Sequence, residues 1–407
     1  MSKYDVYDPG IYAQSVPWDT FKQMRAEAPV YWHEEPNGGR GFWAITKHKD
    51  VVAISRDPGT FSSALGSTFV QDQKEDVLPV LQTFMLNMDP PQHIRFRNMV
   101  KHAFVPQSLR LLEPKIKRMV RGIVDRVATR GSCDFVADFA CKLPLGVIAE
   151  MIGVPEGDRE KVYDWSNKMV AFPDPELASC WEESEAASAE MYQYAFELGQ
   201  ERIERPGESD DIISKLMANV GDDTLTVQEF ASFFMILFVA GNETTRNSTS
   251  GGMLALLQNP DQAARLAAHP ELLPGAVEEI LRWSSPLICF RRTATRDTEI
   301  RGVKIKENDK VVLYYPSANR DEDIFTNADQ FDISRPTNDH LAFGTGQHVC
   351  LGANLARFEL RCIFEELLRR LPDIQLDGQP RRLRSNFLNG IESMPVRFTP
   401  ERARAMP

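Results

Sequence analysis

The pattern of hydrophobic and polar positions predicts one long helix, which begins at Thr226 and ends near Asn259. Thr226 and Glu229 have the spacing of a capping box, and Pro260 marks a stop. Residues 230–240 are almost all apolar, so the first half of the helix is expected to be buried on every side. This apolar run is too short to span a bilayer, and we therefore expect the helix to cross the protein interior.

A polar block, residues 241–250, follows in the same helix without a break. Glycine at its start weakens the helix. A threonine hydroxyl can donate a hydrogen bond to the backbone carbonyl four residues back and so open or bend the helix. Ala240 and Thr244 share one face, so the pattern predicts a notch beside a hydroxyl group. The alternative is a helix that surfaces here, but residues 253–257 are apolar again.

Shorter runs of β-branched and aromatic residues predict strands, and prolines divide the remaining helical segments. The predicted strands cover residues 30–32, 41–46, 287–293, 298–303 and 311–315. Asn389 and Gly390 predict a hairpin tip, and residues 319–347 have the pattern of a long coil. Helical segments between residues 133 and 204 are broken by prolines, which suits a lid and equally suits ordinary helix packing.

Another helix is predicted to begin at Asp89, where an acid and two prolines suit a first turn. On it, His93 and Arg97 lie four residues apart and share one face. By itself, such a pair favours a solvated polar stripe over an anion clamp. Arg291 and Arg292 present a similar choice, because a strand directs them to opposite sides and one is expected to face inward.

Composition excludes some classes of protein without choosing a function. The chain has 407 residues, 43% of them hydrophobic and 26% charged, which is ordinary for a soluble globular protein. A net charge of −11 argues against a general nucleic-acid binder. The six cysteines are irregularly spaced, and residues 1–23 lack the apolar run of a signal peptide. We therefore expect a cytoplasmic protein with no nucleic-acid partner and no membrane anchor.

One local region inverts this charge. Residues 101–126, called the basic segment below, contain seven basic residues and only two acidic ones. The basic residues are Lys101, Arg110, Lys115, Lys117, Arg118, Arg121 and Arg126. Such a segment can receive an acidic partner.

The most concentrated chemistry lies in residues 343–352, called the cysteine loop below, which contain three glycines, His348 and Cys350. Glycine permits positive φ and a close approach of the backbone. Three functional sites compete here: a phosphate-binding loop, a zinc site or a thiolate ligand to haem. A Gly-x-Gly alone is weak evidence for a phosphate loop, and zinc sites usually have Cys-x-x-Cys spacing, which this chain lacks. An ordinary buried thiol is equally compatible with the pattern.

Together these motifs resemble the cytochrome P450 superfamily of haem-thiolate monooxygenases, over essentially the whole chain. Residues 240–245, Ala-Gly-Asn-Glu-Thr-Thr, match the oxygen-activating helix motif of that family, and the cysteine loop matches its ligand loop. Glu279 and Arg282 match its Glu-x-x-Arg pair. The resemblance implies a mainly α (α+β) fold, a triangular helical prism with a small β-rich side. It also implies a single domain over residues 1–407, in which residues 25–60 and C-terminal β elements pack on the helical body.

The resemblance also implies a role for each matching residue. Cys350 matches the axial ligand, whose thiolate donates electron density to iron. Glu243 and Thr244 match the acid and alcohol that deliver protons to bound dioxygen; many relatives have Asp at the first position. Glu279 and Arg282 are assigned to maintaining the fold. The residues implied to contact the haem are His93, Arg97, Arg292 and His348 at its propionates, and Ala240, Phe343, Gly344, Leu351 and Gly352 elsewhere.

The cofactors and partners implied in the same way are haem b (iron protoporphyrin IX), dioxygen as co-substrate and NAD(P)H acting indirectly. Because no reductase domain is recognised, electrons are expected from a ferredoxin and its ferredoxin reductase. The basic segment, with Arg357 and Arg361, is the expected docking surface for an acidic ferredoxin. A monomer is expected.

For the substrate, residues 41–46, 85–89, 241–247 and 384–391 look most similar to bacterial hydroxylases of sterol side chains and methyl-branched lipids. Terpenoids, fatty acids and alkanes are the alternatives within the family, and a haem protein for electron transfer or gas sensing is the alternative outside it. The candidate substrate contacts are mostly apolar, which suits a hydrophobic substrate. They are Phe84, Ile236, Val239, Ala240, Ile288 and Phe387.

Overall fold

Helices form most of the body of the protein, in a computed structural model that describes residues 3–36, 38–170, 178–205 and 225–402. The helices are, in chain order, α1 (Pro9–Gln14), α2 (Trp18–Glu27), α3 (His48–Ser55), α4 (Leu78–Leu81), α5 (Gln92–Val100), α6 (Pro106–Val127), α7 (Lys142–Ile152), α8 (Arg159–Val170), α9 (Ala178–Glu204), α10 (Val227–Gln258), α11 (Pro260–Ala268), α12 (Leu273–Ser284), α13 (Tyr315–Ala318) and α14 (Ala353–Arg370). Part of the predicted lid, residues 171–177, lies outside the described residues.

Apart from β4, the strands lie before α4 and after α12. They are β1 (Val30–His33), β2 (Phe42–Ile45), β3 (Phe61–Ser62), β4 (Ser132–Asp134), β5 (Cys289–Ala294), β6 (Thr298–Ile300), β7 (Val303–Ile305), β8 (Lys310–Tyr314), β9 (Gln375–Leu376), β10 (Arg381–Arg382), β11 (Ile391–Ser393) and β12 (Pro395–Arg397). A five-stranded sheet has the order β1-β2-β8-β5-β3. The predicted N-terminal hairpin pairs through β2 with β8, and β8 pairs in turn with β5, the strand that carries Arg291 and Arg292.

The predicted long helix is present as α10. Thr226 caps it, and both halves of the capping box with Glu229 form. α10 packs against α7, α8, α9, α12 and α14, and the largest hydrophobic cluster includes Phe230, Phe234 and Phe238 from its first half. The prediction of a helix that crosses the interior is therefore confirmed.

The polar block does not bring α10 to the surface. Asn242, Asn247 and Thr249 are buried. The hydroxyl groups bond within the helix, since Thr244 Oγ1 donates to the Ala240 carbonyl at 2.7 Å and Thr249 Oγ1 donates to the Thr245 carbonyl at 2.8 Å. Hydroxyl groups satisfied in this way can be buried without breaking the helix.

Two local predictions were wrong. Asn389 and Gly390 do not form a hairpin tip: β10 and β11 are joined by a longer connection, closed where Leu383 N donates to the Gly390 carbonyl at 3.1 Å. Asn389 is held instead at the end of helix α12, because its side chain donates to the Ser284 carbonyl and its backbone N–H donates at 2.9 Å to the carbonyl of Pro286, just beyond the helix. On β5, Arg291 and Arg292 are both buried, not just one of them.

The predicted coil between α13 and the cysteine loop is confirmed, with turns but no helix or strand over residues 319–345. In the described part of the chain, no helix combines the length and the apolar character needed to cross a membrane.

Candidate active site

The backbone of the cysteine loop has two left-handed residues, Gly344 at φ 64° and Gly346 at φ 72°. A Cβ atom added to Gly346 would lie 2.4 Å from the Ser55 carbonyl oxygen at the end of α3. Only glycine therefore fits this position, for reasons of both φ and space. The loop closes where Cys350 N donates to the Phe343 carbonyl at 2.8 Å, which fixes the sulfur just ahead of α14.

Protein groups surround the Cys350 sulfur, although its side chain keeps solvent-accessible surface. Desolvation by these groups raises the pKa of the thiol above its ordinary value. The backbone N–H of Gly352 and the nearby cations Arg97 and Arg357 act in the opposite direction. Gly352 is also the N-cap of α14, so the positive end of a helix dipole lies beside the sulfur. These groups would stabilise a thiolate.

Arg357 has a second partner that fixes its position. It donates to both carboxylate oxygens of Glu278 at 2.7 and 2.8 Å, and its guanidinium lies 4.5 Å from the centroid of the Phe343 ring. Arg357 therefore links α14 to helix α12 and contacts the Phe343 ring at the start of the cysteine loop. Leu351 is half-buried and packs against the main cluster.

Four basic side chains from three separate elements converge near the loop. His93 and Arg97 come from α5, Arg292 from β5 and His348 from the loop itself, and the two imidazole centroids are 4.1 Å apart. Burial lowers the pKa of His93 to about 4, with Arg97 adding to the effect, and burial and Arg292 lower that of His348 further. Burial also lowers the pKa of Arg97 and of Arg292.

These side chains have unused hydrogen-bonding capacity. Both ring nitrogens of His93 and Nε2 of His348 are buried without a hydrogen-bond partner among the described residues. Unpaired buried donors are rare and need an explanation, and a cluster of four bases implies an anion. The interpretation of His93 and Arg97 as a solvated polar stripe is therefore wrong, because His93 is buried.

The predicted notch lies in the middle of α10. Ala240 is exposed although its neighbours Phe238 and Asn242 are buried, and Thr244, one turn on, is partly exposed. A Cβ atom at Gly241 would lie 2.8 Å from Ile148 Cδ1, so glycine here lets α7 approach closely. Exposed surface at this point of a helix that crosses the interior marks the wall of an internal space.

Glu243 lies beside the notch and is buried, with 3% of its side chain exposed. It forms an ion pair with Arg246, three residues on. Burial nevertheless raises the pKa of Glu243 to about 7, and Arg246 only limits the increase. A carboxyl group that titrates near neutral pH can both accept and release a proton, as a proton relay requires.

Glu279 and Arg282 lie on α12 and have no exposed side-chain surface. Arg282 donates to both carboxylate oxygens at 2.8 and 2.7 Å, and also to the carbonyls of Asn319, Ala328 and Gln330 in the coil. The pair thus ties the coil that precedes the cysteine loop to a core helix.

The predicted substrate contacts separate into two groups. Phe84, Ile236 and Val239 are partly exposed, and Phe387 packs its ring 5.1 Å from Phe69. Ile288 is different: it is 0% exposed and packs with Tyr314 in a second cluster beneath the N-terminal segment, which argues against direct contact with a substrate.

Sequence reasoning missed Arg246 as a partner of Glu243. The spacing of three residues on one helix is the same signal that identified Glu279 and Arg282. It also did not predict the partner of Arg291, whose buried guanidinium donates to Asp72, far away in the sequence.

The comparisons with known proteins agree with this geometry. The family model described as cytochrome P450 matches residues 17–391. The chain belongs to the cytochrome P450 family. A steroid C26-monooxygenase from Rhodococcus jostii is 41% identical over 97% of this chain and 84% of that protein. A methyl-branched lipid omega-hydroxylase from Mycobacterium bovis is 41% identical over 93% of this chain and 90% of its own length.

Among solved structures, a cytochrome P450 from Mycobacterium marinum in complex with pseudoionone has a TM-score of 0.89 and 39% identity, and the match covers 98% of this chain and 99% of that one. A Bacillus megaterium P450 in complex with testosterone has a TM-score of 0.83 and 31% identity, over 94% and 99% of the two chains. The protein is therefore a P450 monooxygenase with a haem-thiolate iron, which uses dioxygen and electrons derived from NAD(P)H.

The residues present fit a haem. One sulfur lies in a glycine loop, and the described residues contain no group of three or more His, Cys, Asp or Glu side chains that could hold a metal by themselves. The unpaired nitrogens of His93 and His348, together with two arginines, fit two propionate carboxylates.

Proposed function

We propose that this P450 hydroxylates the terminal carbon of a branched alkyl chain, on a sterol or steroid side chain or on a methyl-branched lipid. The observation that carries this proposal is the equal identity of 41% to two relatives, a steroid C26-monooxygenase and a methyl-branched lipid omega-hydroxylase. Both names place the oxidation at a numbered or terminal carbon of a hydrophobic molecule. The reaction inserts one atom of dioxygen into a C–H bond and reduces the other to water, with two electrons and two protons.

Each site residue has a proposed part in this reaction. Cys350 would hold the haem iron through its sulfur, and His93, Arg97, Arg292 and His348 would hold the propionates. When bound, the haem supplies the iron that activates dioxygen. Thr244 orients water and dioxygen in the notch, and Glu243 exchanges protons with solvent. The pKa of Glu243 near 7 supports this assignment.

The proposed pocket wall consists of Phe84, Ile236, Val239, Ala240 and Phe387. Their apolar character supports a hydrophobic substrate, because such pockets recognise shape and apolar area with few polar contacts. Ile288 is excluded from this wall because it has no exposed surface.

A spin-state titration of the haem-loaded enzyme tests the substrate proposal. Four ligands are compared: a sterol with a branched side chain, a methyl-branched fatty acid, an unbranched fatty acid of equal length and a monoterpenoid. The branched ligands are expected to shift the Soret band at the lowest concentrations and to give terminally hydroxylated products. Tighter binding and faster turnover of the unbranched acid or the terpenoid would contradict the proposal.

We also propose a ferredoxin as electron donor, docked on part of the basic segment. Two charges of that segment are already compensated, because Lys115 pairs with Glu150 and Lys117 pairs with Glu113. Within the basic segment, the exposed arginines without an ion pair to any described residue are Arg110, Arg118, Arg121 and Arg126, and the same holds for Arg361 of α14. These arginines, which carry uncompensated charge, are the proposed contacts for an acidic surface.

Charge reversal tests this docking surface. The double variant Arg118→Glu with Arg361→Glu is expected to slow reduction by ferredoxin roughly tenfold at low salt, because rim charges act mainly on association rates. The substrate-induced spin shift should not change. Lys115→Glu is the control, since Lys115 is already paired. Equal reduction rates for the double variant and wild type at low ionic strength would exclude this surface.

The chain is further proposed to act as a cytoplasmic monomer and a single domain. Free thiols at Cys133, Cys141, Cys289, Cys350 and Cys362 support a reducing compartment.

A further inference from the structure

The ion pair between Glu243 and Arg246 lies on a particular side of α10. Successive residues of an α-helix are rotated by about 100°, so Ala240 and Thr244 share the face with the notch, whereas Arg246 lies nearly opposite Thr244. Glu243 lies between these two directions. Its contact with Arg246 therefore draws the carboxyl group away from the Thr244 hydroxyl.

The surroundings of this pair are almost entirely uncharged. Asn242 Nδ2 is 3.5 Å from Glu243 Oε1 and 3.4 Å from Ser166 Oγ of α8, and Arg246 Nη1 is 4.0 Å from the Cys141 sulfur. The titratable group that contacts the pair from a neighbouring element is the Cys141 thiol, whose pKa burial raises. Arg246, with 14% of its side chain exposed, is the cation acting directly on Glu243 among the described residues.

We propose that Arg246 is the positioning residue of the proton relay: it holds the Glu243 carboxyl group on the side of α10 away from Thr244 and sets its proton affinity. This inference rests on the proposed role of Glu243 as the relay acid. No substrate contact or haem contact is assigned to Arg246.

The direction of the effect follows from electrostatics. Burial favours the neutral carboxyl group and the guanidinium favours the carboxylate, so the pKa of Glu243, raised to about 7, is a balance of the two. Without the guanidinium, desolvation acts alone and the carboxyl group stays protonated to higher pH. It would then release its proton poorly at neutral pH, and reduced dioxygen would leave as hydrogen peroxide more often.

The simpler alternative is a structural ion pair that only stabilises α10. Such a pair contributes about 0.2–0.5 kcal/mol to a helix and has no effect on the protonation of Glu243 during turnover. Arg369 and Glu366 of α14 have the same spacing of three residues and provide a matched control, because the Arg369 side chain is 59% exposed.

Infrared difference spectroscopy of the haem-loaded, substrate-free protein tests the proposal. The carbonyl stretch of the protonated Glu243 is assigned as the band that Glu243→Gln removes, and its midpoint is followed from pH 5 to pH 9. In Arg246→Gln the midpoint is expected to rise by about one pH unit or more. Arg246→Lys should restore most of the shift, and Arg369→Gln should leave the midpoint unchanged.

A second measurement connects the shift with turnover. Hydrogen peroxide released per NAD(P)H consumed should increase in Arg246→Gln at neutral pH and return towards the wild-type value in Arg246→Lys. An unchanged infrared midpoint in Arg246→Gln would overturn the proposal, and Arg246→Met, which also removes the positive charge, supplies the same comparison if the glutamine variant does not retain haem. The infrared result needs neither sterol nor ferredoxin, so failure of the substrate proposal would leave the midpoint shift intact.

Discussion

Glu359 is a buried carboxyl group for which the proposed mechanism has no use. It lies in α14 with 2% of its surface exposed, and its Oε2 atom has no hydrogen-bond partner among the described residues. Burial alone raises its pKa to about 8. Because the folded state holds this proton more tightly than the unfolded state, the group costs no stability below its unfolded pKa near 4.5. The cost grows between pH 4.5 and 8 and is complete above that range.

We therefore expect Glu359→Gln to stabilise the protein at alkaline pH. The gain should be less than about 1 kcal/mol at pH 5 and at most about 5 kcal/mol at pH 8.5, since one pKa unit corresponds to about 1.4 kcal/mol. Urea unfolding monitored at the Soret band, at both pH values, measures it. Glu365→Gln is the control, because Glu365 is exposed on the same helix. A gain that is the same at both pH values would show that Glu359 does not titrate as described.

Single residues also show where sequence reasoning succeeds and where it stops. The cap at Thr226 was predictable because a capping box depends on residues three positions apart. The burial of His93 was not, because an i,i+4 pair has the same pattern on a solvated face and in an internal site. Only the approach of Arg292 and His348 from distant parts of the chain distinguishes the two.

Helix α12 and the coil after α13 depend on each other. Glu279 accepts hydrogen bonds from Arg282, from Arg335 at 3.0 Å, from Asn338 at 3.0 Å and from the Asp332 backbone at 2.9 Å. An exposed ion pair with this spacing on one helix contributes only about 0.2–0.5 kcal/mol. Glu279 and Arg282 are completely buried, so removing either partner destabilises the protein much more, because the remaining buried charge then lacks its partner.

Glu279→Gln is expected to destabilise the protein by about 3–5 kcal/mol, because Arg282 and Arg335 then lack a counter-charge. The coil leads into the cysteine loop, so purified protein should contain less haem per chain. Haem content by pyridine haemochrome and urea unfolding check the two effects. Glu271→Gln is the control, since that acid is exposed and its partner among the described residues is His269 at 3.1 Å. Full haem content and unchanged stability in Glu279→Gln would contradict this account of the coil.

Some features at the level of helices, strands and loops were predictable from the sequence. α10, α14 and the coil were predictable because their patterns are long. The connection between β10 and β11 was not, because Asn389 bonds α12 instead of completing a tight turn. Tertiary contacts thus override local turn preferences where a side chain finds a buried partner.

Buried charges also join the five-stranded sheet to residues 65–72, which precede α4. These residues are called the anchored segment below. Asp72 accepts from Arg291 at 2.9 Å and pairs with Lys310 at 3.0 Å, and both cations are 1% exposed. The carbonyl of Thr68 accepts from Arg291 N at 2.8 Å. Gly66 has φ 81°, and a Cβ atom there would lie 2.2 Å from the Arg291 guanidinium. The anchored segment is therefore fixed to β5 and β8 and sets the start of the stretch that carries Phe84.

We expect Asp72→Asn to weaken substrate binding without affecting haem binding. Burial opposes ionisation of Asp72, but Arg40, Lys310 and Arg291 together hold its pKa below the usual range, so the native protein keeps this charge at every working pH. Because Asp72 is partly exposed, we expect the free energy of substrate binding to weaken by about 1 kcal/mol. This corresponds to an increase of about fivefold in the dissociation constant from a spin-state titration. Arg40→Gln is the control: Arg40 contacts the same carboxylate from the solvent side with 56% of its side chain exposed, and less than a twofold change is expected. An unchanged dissociation constant together with a lower melting temperature in Asp72→Asn would mean that the anchored segment stabilises the fold but does not shape the pocket.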